Sequence, residues 1–479
     1  MTMGCTMERT KEPASLRREG PDLEYKSASK GIPGSTWETY SAFSNTDGGR
    51  IVLGVAEDDD GEPFVEGVTK PEVRVQEVWN TLNNPQVISA NILREDDVRT
   101  EEMDGVPVVV IDVPRADRFI RPVYYKRMDT GTFKRNGEGD YRCTLMEIAS
   151  MLRDRSETTY DSTILDDTGF DDIDPDTLHA FRNTMATHSP DHMWNSVDDA
   201  MFAEMVNAVG RRGSDRPLTV AGLLMFGREY LIYNRFPDFK LDYREYSDNS
   251  SKWTFRVVTG DGTWCGNVFN FYLRVSQRMT SDLDRPRDIG PDMRRIDDTE
   301  VHMAVRECLL NALIHTDYPG HGGIRIERRP DRIIVSNPGL FRIPLEVAER
   351  GGESDPRNGF MAKMFSMVGA VERAGSGVSF VFRTWDAGGR GRPSIDEDQA
   401  KQRVTVTLPL RAGIRKVVES EDVLLDLIRL YPGISIAGLS ERTGLSKSTV
   451  YKRITDLRAS GRIERVGGTR GMWRVDDTD

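Results

Sequence analysis

Several features that mark specialised protein classes are missing from this chain. No apolar run of about 18 residues occurs, and the N-terminal segment MTMGCTMERTKEPASLRREG is polar and charged, which argues against a transmembrane helix and a secretory signal peptide. The four cysteines, Cys5, Cys143, Cys265 and Cys308, are scattered singly, so neither a disulfide framework nor a cysteine metal knuckle is indicated. We therefore expect a cytoplasmic protein that does not bind membranes.

An excess of positive charge is also missing. The formal net charge of −12 excludes a protein that coats nucleic acid over its whole surface, although local basic patches are still allowed. The sequence contains no G-x-x-x-x-G-K-[ST] loop, so nothing in it supports a helicase motor. The composition is that of an ordinary globular protein. Its 479 residues, 38% of them hydrophobic, are enough for two to four domains with their own cores.

Shifts in composition divide the chain into six segments. We expect a disordered tail over 1–18, a first domain over 19–155, a connecting region of helices and strands over 156–298, a second domain over 299–412, a linker over 413–420 and a C-terminal domain over 421–479. The acidic stretch SETTYDSTILDDTGFDDIDPD marks the boundary after the first domain.

The first domain mixes strands and helices. RIVLGVAED and VPVVVIDVP are typical of buried strands, and TWETYSAFSN is typical of a helix. Asn45 and the pair Gly48-Gly49 predict a tight backbone turn, for which we expect mainly structural roles. Together with DLEYK upstream, this pattern resembles the bacterial Schlafen-type AlbA domain over about Gly20 to Arg153, and the resemblance implies nucleic-acid binding.

A basic and aromatic stretch follows in the same domain. RPVYYKRMDTGTFKRNGEGDYR predicts a hairpin that carries both stacking surfaces and phosphate partners, as single strands require. The candidate residues are Tyr124, Lys126, Arg127, Lys134 and Arg135. The alternative is an ordinary sheet with a solvated basic face, and the choice between DNA and RNA stays open.

Three carboxylates raise an alternative function. In nucleolytic members of the Schlafen family an acidic trio holds a divalent metal, and the resemblance places Glu19, Glu24 and Glu57 in comparable positions, although the third is more familiar as aspartate. Such a site would take magnesium or manganese and activate water against a phosphodiester. The stretch EDDDGE around Glu57 is equally typical of a solvated hairpin tip. A metal-dependent nuclease is therefore the second hypothesis.

The stretch RECLLNALIHTDYPG predicts an apolar helix with a polar stripe. Glu307, Asn311 and His315 recur every four residues, which places them on one helix face at about 100° per residue. Downstream, GIRIERRPDRIIVSNPG predicts a hairpin with its turn at Arg329 to Asp331, and RVTVTLPL predicts a closing strand. Glycines follow the polar stripe in SNPG, RNG and ERAGSGV. A solvated helix face is the alternative to a site.

This order of motifs resembles the GHKL group of ATPases, and more closely the divergent ATP-binding module of RecG-like bacterial regulators, over about Val301 to Leu410. The resemblance implies ATP and magnesium, with Glu307 as general base, Asn311 as metal ligand, Asn337 to Gly339 at the adenine side, and Gly375 and Gly377 at the phosphate side. The usual adenine-binding aspartate is replaced by Asn337, whose amide oxygen can still accept a hydrogen bond. Weak hydrolysis is compatible with this pattern but not required by it. For His315 we expect a structural role.

The C-terminal domain has the pattern of a winged helix-turn-helix. EDVLLDLIRLYPG, SIAGLSERTG and SKSTVYKRITDLRASG predict three helices, and RIERVGGTRGMWRV predicts two strands of a wing with Arg462, Arg465 and Arg470. We expect the third helix to contact DNA through Lys447, Ser448, Thr449, Lys452 and Arg453. A module for protein contacts is the alternative. Dimerisation is expected, because such regulators commonly match two half-sites by symmetry.

The predicted fold is multidomain, combining α/β and α+β classes: an N-terminal AlbA/Schlafen-like α+β domain, a GHKL-like α/β sandwich and a C-terminal winged helix-turn-helix. The leading hypothesis is an ATP-binding, DNA-binding bacterial regulator of transcription, acting in a defence or stress locus.

Overall fold

The computed structural model describes residues 16–29, 31–58, 60, 62–247, 252–281, 283, 300–370, 377–387 and 391–410, and in the C-terminal part 424–425, 428, 434–436, 439–440, 447–460, 462–466 and 472–475. The chain forms two compact units, Met1–Gly388 with Arg392–Leu408 and Gly389–Gly391 with Pro409–Asp479. The predicted tail over 1–15 and the predicted linker over 413–420 lie outside the described residues.

The first part of the larger unit is built on a four-stranded sheet. Its elements are β1 (Leu23–Lys26), α1 (Ser35–Asn45), β2 (Gly49–Leu53), β3 (Val55–Glu57), β4 (Pro63–Val65), α2 (Pro71–Leu82), β5 (Val98–Met103), β6 (Val106–Val113), α3 (Met128–Gly131), β7 (Phe133–Asn136), β8 (Gly139–Arg142) and α4 (Leu145–Arg155). The sheet has the order β1-β2-β6-β5, with β1 parallel to β2 and the other pairs antiparallel.

Apolar residues cover both faces of this sheet. Ile51 and Ile111 pack with α1 and α2 on one face, and Val52 and Val110 pack on the other. The unbroken apolar run of β6 therefore marks a strand buried on both sides. The two predicted strands and the predicted helix are confirmed.

Short helices connect this part to a second sheet. They are α5 (Pro175–His188), α6 (Asp199–Met205), α7 (Val220–Phe226) and α8 (Glu229–Arg235), with 3₁₀ turns at Glu95–Asp97, Tyr160–Ser162, Phe170–Asp172 and Met193–Ser196. An aromatic cluster holds the helices together, since the Phe181 ring packs edge-on against the rings of Phe202, Phe226 and Phe269.

The second sheet has six strands in the order β10-β9-β11-β12-β14-β13. Its elements are β9 (Leu241–Tyr246), β10 (Trp253–Val258), α9 (Val268–Thr280), α10 (Glu300–His315), β11 (Ile324–Arg328), β12 (Arg332–Pro338), α11 (Leu345–Arg350), α12 (Gly359–Met367), α13 (Gly377–Ala387), β13 (Ser394–Asp398) and β14 (Arg403–Pro409). The predicted hairpin is confirmed, because β11 and β12 pair antiparallel and Arg329 donates to the carbonyl of Arg332 across the turn.

The sheet begins earlier in the chain than the predicted boundary at 299. Strand β9 pairs in parallel with β11, so the end of the predicted connecting region supplies two strands of the same sheet. Sequence periodicity did not reveal this, because the pairing partners are about 80 residues apart and strand order is not a local property.

The smaller unit contains α14 (Lys447–Ala459), β15 (Ile463–Val466) and β16 (Met472–Val475). The two strands form an antiparallel hairpin, as predicted for the wing. Leu425, Leu439, Ile454 and Trp473 are among the buried residues of its core. The predicted multidomain α+β architecture is confirmed.

Candidate functional site

The polar stripe of α10 borders a cavity. Glu307, Asn311 and His315 all line the same cavity of about 420 Å³. On the opposite side of the helix, Leu309 and Leu313 are fully buried in the core. The stripe therefore faces an internal space, and the alternative of a solvated helix face is not what the structure shows.

Gly377, the first residue of α13, lies against two residues of this stripe. A methyl group built on Gly377 would overlap Oε1 of Glu307 and would lie 2.9 Å from Nδ2 of Asn311. Glycine thus leaves a cradle beside a carboxylate and an amide at the N-terminus of an 11-residue helix. The N-terminus of a helix carries the positive end of the helix dipole, which favours anions. Gly375 lies outside the described residues.

The turn after β12 forms another wall of the cavity. Asn337 is 7% exposed, and its Nδ2 donates to the carbonyl of Pro338 over 3.2 Å, so Oδ1 is the atom that can accept a hydrogen bond from a ligand. Gly339 has a φ of 98°, and a methyl group there would overlap Nη1 of Arg357. Both the backbone conformation and the close guanidinium therefore require glycine at this position.

The remaining walls of the cavity are mostly apolar. Val335, Val381, Phe382 and Val404 line it from β12, α13 and β14. Lys363 of α12 adds one positive charge to the lining. A pocket with apolar walls and a few converging polar groups is the usual form of a small-molecule site.

A buried ion-pair network supports the base of the cavity. Asp154, at the end of α4, accepts from Nε and Nη2 of Arg357 over 2.8 and 2.7 Å. Arg357 also donates to the carbonyl of His315 over 2.6 Å. Burial lowers the pKa of His315 to about 4, and the charge of Arg357 contributes to the same shift. The imidazole is therefore neutral near pH 7, which fits the structural role predicted for it.

Sequence reasoning missed Arg357, Arg342 and Asp154. Arg342 lines the cavity, and its Nε lies 3.7 Å from Asp154. In the sequence, the RNG motif was considered only for its glycine, and its first residue, Arg357, was overlooked. Because Asp154 is about 200 residues away in the chain, no local signal could have joined it to Arg357.

The residues of the cavity fit a nucleotide with magnesium. Asn311 offers an amide oxygen, and the cradle at Gly377 leaves room for a phosphate-bound ion beside it. The acidic trio of the first domain gives a different result: within the described residues, no group of three or more histidine, cysteine, aspartate or glutamate side chains is arranged to hold a metal ion.

The three acidic residues lie on or beside two contacting strands: Glu19 accepts from the N–H of Tyr25 on β1, which also carries Glu24, and β3, which ends at Glu57, contacts β1. Burial raises the pKa of Glu19, and the carboxylates of Glu24 and Glu57 raise it further. Glu24 is 7% exposed and pairs with Lys26 and, over 2.8 Å, with Arg135. Two cations thus already neutralise the most buried carboxylate of the three.

Asn45 and the glycine pair have the structural roles predicted for them. Asn45 donates to the carbonyls of Val123 and Phe133 and accepts from the N–H of Val123. A methyl group on Gly48 would lie 2.7 Å from the carbonyl oxygen of Val113, so the turn needs glycine. All three residues serve to join α1 to the neighbouring strands.

The predicted basic hairpin differs from the observed one. Only Phe133–Asn136 and Gly139–Arg142 form the hairpin, while Tyr124, Lys126 and Arg127 precede α3. Lys126 and Arg127 are exposed, and Tyr124 is half-buried. These three stay candidates for nucleic-acid contacts.

The expectation of exposed phosphate partners is wrong for Arg135. Its side chain is 2% exposed, and its guanidinium pairs with Glu24 and Asp140. Lys134 is half-buried and pairs with Glu147. Arg135 lies on the same side of β7 as the buried Phe133, and Glu24 and Asp140 balance its charge there.

In the winged helix, Lys452 is exposed on α14 and Arg453 is half-buried. For Lys447, Ser448 and Thr449 the structure describes only the helical backbone. In the wing, the Arg465 guanidinium lies 5.0 Å from the Trp473 ring centroid. Arg470 lies outside the described residues.

In the part of the chain that is described, no helix combines the length and apolar content needed to cross a membrane.

Four family models match the chain. "Schlafen, AlbA_2" matches residues 19–144, "Putative ATP-dependent DNA helicase recG C-terminal" matches 321–408, and "Winged helix-turn-helix DNA-binding" matches 424–464. A domain family of unknown function, DUF8451, matches 149–242. The RecG match begins after α10 and therefore does not include Glu307 or Asn311. The nucleotide-site roles considered for these two residues depend on the geometry of the cavity alone.

Two solved structures are similar to the chain. The DIP2311 protein from Corynebacterium diphtheriae is 19% identical, with 95% of this chain and 80% of that chain covered and a TM-score of 0.40. The N-terminal domain of a RecG-related protein from Nitrosomonas europaea is 30% identical, with 26% and 83% covered and a TM-score of 0.21. No curated protein matches. In chain order, then, the sequence carries a segment that matches the Schlafen AlbA_2 family, one that matches the RecG C-terminal ATPase-type family and one that matches a winged helix-turn-helix family.

Proposed function

We propose that this chain is an ATP-binding and DNA-binding regulator of transcription. The observation that carries the proposal is the convergence of Glu307, Asn311 and Gly377 at one end of an apolar cavity whose other end is formed by Asn337 and Gly339. The winged helix supplies the DNA-binding module.

The residues of the cavity divide into two groups. At the adenine side, Asn337 accepts from the exocyclic amino group, and Val335 and Val404 contact the ring. At the phosphate side, the N–H groups at the start of α13 bind phosphate oxygens, and Asn311 holds magnesium. Magnesium would neutralise charge on the phosphates. Glu307 is the candidate base that accepts a proton from an attacking water if ATP is hydrolysed.

Titration calorimetry with ATP and magnesium tests the site. Asn311→Ala should remove the magnesium-dependent part of the affinity, about tenfold or more, because a ligand of the metal is lost. Glu307→Gln should retain binding and abolish any turnover. Gly377→Val should block binding, since its side chain would overlap Glu307 and Asn311.

Asn80→Ala is the matched control, because Asn80 is an exposed asparagine on α2, in the first part of the unit. Circular dichroism checks that each variant is folded. If both Asn311→Ala and a folded Gly377→Val bind ATP as tightly as the wild type, the nucleotide site is wrong.

A metal-dependent nuclease is the second candidate function, and the placement of Glu19, Glu24 and Glu57 on or beside the contacting strands β1 and β3 favours it. Structured RNA and single-stranded DNA incubated with manganese provide the test. If the domain is a nuclease, cleavage should occur and should be lost in Glu57→Gln, an exposed residue whose replacement does not disturb the core. Intact substrates across metals, or cleavage unaffected by Glu57→Gln and Glu24→Gln, would leave the domain as a nucleic-acid binder.

A further inference from the structure

One side of the six-stranded sheet carries a row of polar side chains. Asp242 pairs with Arg325 in register, Arg325 pairs with Ser336, and the Ser336 hydroxyl lies 3.0 Å from that of Thr405. Residues opposite each other on paired strands share a side of the sheet. The alternate residues Tyr243, Ile326 and Val335 are at most 1% exposed and form the core side. The polar row therefore lies on the side away from that core.

Six arginines share this polar side or its adjoining turn. We call them the arginine face: Arg244, Arg256, Arg325, Arg329, Arg332 and Arg403. The carboxylates paired with them are Asp242, Glu327 and Asp331. The face thus has an excess of positive charge, although the whole chain has a net charge of −12. Asp396 and Asp398, on the edge strand β13, lie opposite Thr405 and Arg403 and bound the face, and the arginines still outnumber the carboxylates when both are included.

Two of these arginines are fixed in place by one carboxylate. Asp242 is 1% exposed and accepts from Nε and Nη2 of both Arg244 and Arg256, at distances between 2.5 and 3.1 Å. One negative charge between two guanidiniums leaves a net positive charge. Because both side chains are already ordered, an incoming anion would cost less side-chain entropy than at flexible surface arginines.

Two others, Arg325 and Arg403, flank Ser336, and Asp398 lies opposite Arg403 in the strand register without pairing with it. Arg403 donates to the carbonyls of Gly323 and Ser336 and to the Ser336 hydroxyl, which are all neutral acceptors. Burial lowers the pKa of Arg403, and the nearby charge of Arg325 lowers it further. Among the described residues, neither arginine forms an ion pair. An anion placed between them would relieve this repulsion.

Aromatic rings adjoin the charged groups. Trp253 is 50% exposed, and the Arg256 guanidinium lies 5.8 Å from its ring centroid. The Arg329 guanidinium lies 4.2 Å from the Tyr246 ring centroid. The Tyr246 ring is half-buried, so Trp253 is the exposed ring of the two, and an exposed ring beside a guanidinium can stack a base while the charge binds phosphate.

We infer that the arginine face binds a single-stranded nucleic acid, with its phosphates across the arginines and a base stacked on Trp253. Neighbouring strands are about 4.8 Å apart, so arginines on β10, β9, β11 and β14 form an extended track and not a pocket for one ion. A repeating polyanion matches such a track. This surface is separate from the ATP cavity and from the candidate residues of the AlbA domain and winged helix.

Fluorescence anisotropy of the full chain with a labelled oligothymidylate of about 20 nucleotides tests the inference. Arg325→Gln with Arg332→Gln should weaken binding about tenfold. The slope of log affinity against log salt concentration should become shallower by roughly 0.7 for each phosphate that the variant no longer neutralises. Arg211→Gln is the matched control, because Arg211 is exposed and lies in the connecting region, outside the sheet. It should bind as the wild type does.

Photo-crosslinking locates the bound strand directly and does not depend on a variant that must fold. An oligonucleotide carrying photoreactive thymidine should crosslink to the peptide containing Trp253, and Trp253→Ala should weaken binding without changing the salt dependence. Crosslinks confined to the AlbA domain or the winged helix, together with unchanged affinity in the double arginine variant, would overturn the inference. ATP binding is measured separately, so its outcome does not affect this one.

Discussion

Arg357 is the residue on which several parts of the candidate site depend. Its guanidinium donates to the carbonyls of His315 and Leu340 and to the carboxylate of Asp154. It therefore fixes both the end of α10, which carries the polar stripe, and the turn after β12, the strand that carries Asn337. Burial of such a cation is tolerated only because its donors are satisfied by charged and carbonyl oxygens.

His315 should make the stability of the protein sensitive to acid. Its folded pKa of about 4 is below the ordinary value of 6.5, so the unfolded chain binds the additional proton more readily. The neutral ring is accommodated above pH 6.5, and stability is lost as the pH falls from 6.5 towards 4, by about 1.4 kcal/mol per pH unit. Chemical denaturation at several pH values measures this loss.

His315→Gln should lose less stability than the wild type over that pH window. His188→Gln, which replaces the exposed histidine at the end of α5, is the control and should show the same acid-induced loss of stability as the wild type. Parallel curves for His315→Gln and the wild type would show that the imidazole does not titrate as its surroundings imply.

At the scale of elements, α10 combines a core helix with one functional face. It packs against α9, α13 and β12, and most of its residues are buried. The polar stripe borders open space because the facing residue, at the start of α13, is a glycine. A larger side chain at that position would occupy the cavity. The pairing of a polar stripe with a helix that begins at glycine is what makes the site.

In the smaller unit, α14 is the element expected to contact duplex DNA. Replacing Lys447, Lys452 and Arg453 together by alanine should weaken duplex binding by about tenfold or more and flatten its salt dependence, since fewer counterions would be released. Electrophoretic mobility shift over a series of salt concentrations measures both effects. Arg458→Ala, near the C-terminal end of the same helix, is the control, because recognition helices contact bases mainly through their N-terminal residues. If neither the wild type nor the variants bind duplex DNA at low salt, the winged helix is a protein-contact module.

For the whole molecule, the sequence predicted local patterns better than long-range pairings. The stripe of Glu307, Asn311 and His315 and the hairpin β11–β12 follow from spacing alone, and the structure confirms that they line the cavity and pair as expected. The ion pair of Arg135 with Glu24 and the pairing of β9 with β11 could not be predicted, because each joins residues that are distant in the chain. Buried ion pairs are difficult to predict from sequence in general, because charged residues are usually exposed and a sequence does not mark the few that are buried.

The AlbA-like part and the ATPase-type part of the larger unit are joined through the end of α4. Arg153 pairs with Asp317 over 2.6 Å, and Asp154 pairs with Arg357 over 2.7 Å. Arg115 donates to the carbonyl of Phe341, which lines the cavity beside α10. Contacts of this kind place the first domain directly beside the loop that follows β12.

Asp154→Asn should destabilise the larger unit strongly. The pKa of Asp154 is lowered despite burial, chiefly by Arg357, so its carboxylate is charged at neutral pH and balances the buried guanidiniums of Arg357 and Arg342. Removing that charge leaves two buried cations undercompensated, which typically costs about 3–5 kcal/mol. Asp112→Asn is the matched control, because Asp112 also pairs with two arginines, Arg50 and Arg99, but is 36% exposed. It should cost at most about 1 kcal/mol. Urea denaturation of the three proteins compares them, and equal losses in both variants would mean that the buried network does not hold the two parts together.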